Sequence, residues 1–90
     1  MPQAIVDPTE LRRFAQMLKQ FTSELEEKSA AVSSQLTALS NTWRDQEHRK
    51  FAEQFEQHMK VLSRFIEANK QHIPYLLRKA ERIEEYLQQR

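Results

Sequence analysis

No glycine occurs anywhere in this chain of 90 residues, and two of its three prolines fall within the first eight positions. Tight β-turns and left-handed bends draw on glycine, and loop-rich folds draw on both residue types, so a β-rich architecture is out of reach. The class is all-α. A chain this short holds one domain, and a unit of two helices buries too little surface to stand comfortably alone.

The hydrophobic pattern divides the chain into two long helical stretches. Asp7-Pro8-Thr9-Glu10 reads as a helix start: Asp7 can cap, Pro8 suits the first helical position, and Glu10 can return a capping-box bond. The apolar stripe of helix one runs Leu11, Phe14, Leu18, Phe21, Leu25, then Val32, Leu36, Leu39 and Trp43, in steps of three and four with Ser29 filling the gap. Successive steps of four from Phe21 to Leu25 to Ser29 relax any left-handed supercoil there. The small residues Ser29, Ala30, Ala31, Ser33 and Ser34 allow another helix to approach closely.

Ser40-Asn41-Thr42 ends that stretch, because these side chains compete for backbone hydrogen bonds. Thr42 reads as the next N-cap, with Asp45 three residues on to close a capping box at the positive end of the helix dipole. The expected organisation is a single antiparallel helical-hairpin domain over residues 1–90: helix one about 8–39, a bend at 40–42, and helix two about 43–89. The bend motif is Thr42, Trp43, Arg44 and Asp45, and Trp43 is the chain's only tryptophan.

Helix two carries a cleaner repeat. Ala52, Met59, Ile66, Ile73, Ala80 and Leu87 recur every seven residues, and Phe55, Leu62, Asn69, Leu76 and Ile83 form a second series displaced by three, as a coiled-coil seam requires. Asn69 at a seam position fixes register or orientation. Pro74 interrupts the backbone ladder, so the helix either kinks there or breaks into a third helix from Pro74 to about Gln89; the unbroken stripe on both sides favours the kink.

A third series, Phe51, His58, Phe65, His72, Lys79 and Tyr86, lies beside that seam and widens the apolar face beyond what one facing helix can cover. Pairing two hairpins into a four-helix bundle would cover it. The expected partner is a second copy or a related small helical protein.

Little in the chain supports catalysis or cofactor binding. There is no cysteine, and His48, His58 and His72 are spaced by ten and fourteen residues, so no two stand one turn apart as a helical metal pair would. A phosphate loop or nucleophile elbow needs glycine. Fourteen basic and thirteen acidic side chains are interspersed, with no basic stripe for nucleic acid and no apolar run long enough to insert in a membrane. The expectation is a non-enzymatic interaction protein without catalytic, cofactor-binding or metal residues. Met1 to Asp7 has neither the basic segment nor the apolar core of a signal peptide, so the expected location is the cytoplasm, with secretion by a signal-peptide-independent route still open.

A capped N-terminal helix, a tryptophan-bearing bend and a second long amphipathic helix in a chain of about this length resemble the small W-x-G proteins. These are relatives of the early secretory antigenic target that bacterial type VII systems export. The resemblance implies a dimeric helical hairpin that is a secretion substrate or the partner of one, and so works with type VII secretion components. This chain has Trp43-Arg44-Asp45, with aspartate in the glycine place. Exported members commonly carry Y-x-x-x-D/E after the second helix; here Tyr75 is followed at the fourth position by Lys79, and Tyr86 by Arg90. The other reading of the same residues is a cytoplasmic coiled-coil adaptor that is not exported.

Overall fold

The structure, a computed structural model, describes residues 6–88. The first helix, α1, spans Pro8–Leu39. Asp7, in extended conformation, accepts a 2.9 Å hydrogen bond from the Thr9 amide, and Pro8 occupies the first turn, where its missing N–H costs nothing. Glu10 sits in that turn near the positive helix end, but the cap bond comes from Asp7 alone among the described hydrogen bonds.

The helix ends without a left-handed residue. No described residue has positive φ, and the last carbonyls are taken up locally instead. The Ser40 amide and hydroxyl both donate to Leu36 O at 3.1 Å, and the amides of Thr42 and Trp43 donate to Leu39 O at 3.1 and 2.9 Å. The second helix, α2, spans Gln46–Gln88. It therefore starts later than the sequence reading places it, and the bend runs over 40–45. Thr42 is not its cap, because its hydroxyl is turned back to Leu39 O at 3.3 Å. The cap is Asp45, whose carboxylate accepts from the His48 amide at 3.0 Å. A reversal without any positive-φ residue takes more residues than one that uses glycine, and the extra residues are Trp43, Arg44 and Asp45.

Pro74 lies within α2, which continues through it, so the break into a third helix does not form. The expected end of helix two at residue 89 lies outside the described residues. At about 1.5 Å per residue a helix of 43 residues is about 65 Å long, which accounts for the 68 Å long axis of the molecule. Among the described residues no helix is long and apolar enough to cross a membrane.

Cross-helix contacts fix an antiparallel hairpin: Arg12 meets Glu84, Thr22 meets Asn69, Glu26 meets Lys70 and Ser40 meets His48. On α2 the seam follows the expected series, with Ile66, Asn69, Ile73 and Ala80 buried and Ala52, Phe55, Met59, Leu62, Leu76 and Ile83 half-buried; Leu87 is exposed. On α1 the seam is rotated from the expected stripe. Pro8, Ala15 and Thr22 are buried, and Leu11, Leu18, Leu25, Ser29, Ser33 and Leu36 are half-buried. Small side chains alternating with leucines bring the backbones close. The irregular pair of four-residue steps falls at Leu25-Ser29-Ser33 rather than at Phe21-Leu25-Ser29.

Phe14, Phe21, Val32 and Leu39 of α1 are exposed, as are Phe51 and Phe65 of α2. The only completely buried apolar side chains among the described residues are the alanines Ala15 and Ala80, so no large side chain is fully removed from water. A core this thin leaves little margin over chain entropy.

Candidate functional site

The two helices lie side by side and present two broad sides to solvent. Residues one position after the seam leucines of α1, namely Arg12, Lys19 and Glu26, share a side with Lys70, Leu77 and Glu84 of α2. Residues one position before the seam, Phe14, Phe21, Val32 and Leu39 of α1, share the other with Phe51, His58, Phe65, His72, Lys79 and Tyr86. Arg12–Glu84 and Glu26–Lys70 contacts span the helices on the first side, and the Phe21–Phe65 ring contact spans them on the second.

On the polar side the Arg12 guanidinium forks onto the Glu84 carboxylate, Nη2 to Oε1 at 2.6 Å and Nη1 to Oε2 at 3.2 Å. The hydrogen bond to Arg12 holds the Glu84 carboxyl below its ordinary range, and the same bond raises the Arg12 guanidinium. Lys70 donates to Glu26 at 2.9 Å and stands 3.8 Å from Glu67, contacts that raise its ammonium, the Glu26 hydrogen bond foremost. These pairs are solvent-washed, with the Arg12 and Glu84 side chains 39% and 42% exposed, so they set alignment more than stability.

Between the sides, Asn69 Nδ2 donates to Thr22 Oγ1 at 3.2 Å, and that hydroxyl donates to Leu18 O at 2.7 Å. Both side chains are buried. A polar pair in an otherwise apolar seam penalises any slip of one helix against the other, because a shifted register leaves the amide unpaired.

The other side is aromatic. Phe21 and Phe65 meet edge to face across the helices, centroids 6.4 Å apart, yet remain 48% and 46% exposed. Met17, Val61 and Tyr75, three residues on from Phe14, His58 and His72, continue the same side outward and are also exposed. At the bend, the half-buried Trp43 packs edge-on against His48 at 4.9 Å and tilts against Phe51 at 6.0 Å, which stacks on Phe55 at 5.9 Å. The aromatic series thus extends from the bend to Tyr86 near the opposite end. Exposed apolar side chains recur along the whole length of this side, with His58, His72 and Lys79 set among them.

Ser40 and His48 form the nearest approach to a catalytic pair, Oγ to Nε2 at 2.9 Å. The Ser40 Oγ also stands 3.1 Å from Leu36 O, so the carbonyl and the imidazole share one hydroxyl between them. The pair closes the bend. His58 and His72 stand apart on the exposed aromatic side, and among the described residues no group of three or more acidic or histidine side chains could hold a metal ion.

The structure brings the expected α2 seam together, but divides the expected α1 stripe between the seam and the open side. Sequence reasoning passed over Ala15 and Thr22 in α1, whose spacing of seven with Pro8 and Ser29 carried the signal.

The family model WXG100, described as proteins of 100 residues with WXG, matches residues 3–88. No curated protein and no solved structure matches the chain.

Proposed function

The chain belongs to the WXG100 family, small helical proteins associated with type VII secretion, and on that premise we propose that it acts by pairing its aromatic side with a second helical hairpin. The product is a four-helix bundle, formed with another copy or a related chain, that serves secretion as substrate or substrate partner. The role is binding, with no chemical step.

The observation that carries this reading is the Phe21–Phe65 pair, two rings that have found each other across the hairpin while about half of each still faces water. Covering such rings is worth about 1 kcal/mol or more apiece, on a molecule whose own core removes no large side chain from water. Light scattering at micromolar concentration tests the pairing. Self-pairing gives a mass near twice the 10.8 kDa of the chain, and pairing with a related chain gives that mass only after the two are mixed; a fully helical monomer indifferent to every related hairpin would remove the proposal. Export is tested by detection in culture supernatant with and without co-expressed related chains, since neither Tyr75 nor Tyr86 is followed by an acidic residue at the fourth position. Retention inside the cell in both arms leaves the adaptor role.

A further inference from the structure

The series that makes the open side of α2 is not wholly apolar. His58 and His72 stand in it at the same sevenfold spacing as Phe51, Phe65 and Tyr86, and both are exposed. The Phe21–Phe65 contact sets the level of α1 against them. In an antiparallel pair a step of seven along one helix answers to a step of seven back along the other, which brings Phe14 level with His72 and Lys28 level with His58. A surface that covers Phe14, Phe21 and Phe65 must therefore cover an imidazole as well.

The surrounding charges do not favour a cation at either place. One turn away on α2, His58 has Gln54, Phe55, Val61 and Leu62, and His72 has Ala68, Asn69, Tyr75 and Leu76, none of them acidic. The positions that flank the series, one before it and three after, hold no carboxylate from Lys50 to Arg82, but they do hold Lys50, Arg64, Arg78 and Arg82. Lys79 adds a further cation one heptad beyond His72. From α1 the charged groups at these levels are Glu24 and Lys28 for His58, and Glu10 and Arg13 for His72, one of each sign in each case; Glu24 already accepts from Gln20 at 3.3 Å.

We propose that His58 and His72 make the pairing of this side sensitive to pH, so that the hairpin holds its partner while both imidazoles are neutral and releases it when they are protonated. The inference rests on the pairing reading above and adds the regulation of that surface. An imidazole in water titrates near pH 6.5. In its neutral form it can be covered by an apolar surface with a single N–H to satisfy, whereas the cation would lose its water beside a row of other cations, with no excess of carboxylates in its own chain to offset the loss. Unpaired chains therefore bind more protons than paired ones in this range. Pairing is complete above it and is lost as pH falls through it.

The third imidazole, His48, is engaged at the bend by Ser40 at 2.9 Å and by the Trp43 ring at 4.9 Å, and it serves as the control. The experiment measures the mass of the full chain by light scattering across a concentration series at pH 7.5 and 5.5, alone and mixed with a related chain, with helicity followed by circular dichroism at both pH values. Pairing is expected to weaken by about tenfold or more at pH 5.5, the scale of two imidazoles that must each give up a proton to be covered, while helicity is kept. A chain carrying His58→Gln and His72→Gln should pair equally at both pH values, and His48→Gln should keep the native dependence. Equal pairing of the native chain at both pH values would overturn the pH control and leave the pairing side intact. A dependence that survives the double substitution, or pairing that strengthens in acid because the partner meets the imidazoles with carboxylates, would overturn it too. No pairing at either pH removes the pairing reading itself.

Discussion

The two broad sides of the hairpin are made by the same two helices, yet one is finished and the other is not. On the polar side the long side chains of Arg12, Glu84, Lys70 and Glu26 reach across the seam and satisfy one another. On the aromatic side Phe14, Phe21, Val32, Leu39, Phe51 and Phe65 stand against water. Aliphatic stems with charged ends can cover a seam and remain soluble, whereas rings at the same positions leave apolar area that only another apolar surface removes. The difference separates what holds the hairpin from what it offers.

A charge placed on each side in turn gives the largest contrast. Phe65→Glu should weaken pairing by about a hundredfold, roughly 3 kcal/mol, read as loss of the doubled mass with helicity kept; Lys19→Glu on the polar side should leave the mass unchanged. Equal effects from both would erase the distinction. Trp43→Ala comes next. Because the ring is half-buried against His48 and Phe51, a loss of about 2 kcal/mol in denaturant unfolding is expected, below the 3 kcal/mol or more of a fully buried ring; a loss under about 0.5 kcal/mol would make Trp43 a residue displayed to a partner.

Between the sides, Asn69→Ala leaves Thr22 without its buried partner and should cost about 1 to 2 kcal/mol. It should also loosen the register, so that a disulfide engineered between α1 and α2 one turn out of line forms more readily than in the native chain. The smallest effect belongs to the polar side. Glu84 has its carboxyl held below the ordinary range by Arg12, so the stability it contributes is complete above the unfolded carboxylate value and disappears as pH falls through the lower folded one. Glu84→Gln should flatten the acid limb of the stability profile and move the thermal midpoint at neutral pH by no more than about 2 °C. A larger shift would mean that this side holds the hairpin as well as aligning it.

The helical class and the α2 seam were legible because α2 writes its seam in large residues at unbroken sevenfold spacing. The α1 seam was not, because Ala15, Thr22, Ser29 and Ser33 carry little hydrophobic signal, while Phe14 and Phe21 beside them carry a strong one. Hydropathy locates the apolar positions of a helix; it does not say which of them the neighbouring helix takes. Close approach favours the small ones and leaves the large ones outside. The bend was misplaced by a related ambiguity, since Thr42 and Asp45 are both good caps, and the sequence does not tell that the Thr42 hydroxyl is already spent on Leu39. The cross-helix pairs Arg12–Glu84 and Glu26–Lys70 become visible only once the register is known.

The bend between Ser40 and Asp45 reverses the chain with every described φ negative, and Asp45, in the glycine place of W-x-G, is a carboxylate that caps the helix beginning there. The letter that names the family and the physics that turns the chain are therefore separable: glycine at that position supplies freedom, aspartate supplies a hydrogen-bond acceptor, and either can begin a helix. Recognition by motif spelling alone would pass over chains of this kind, while a search for a tryptophan followed within two residues by any good helix cap, between two long amphipathic stretches, would gather them.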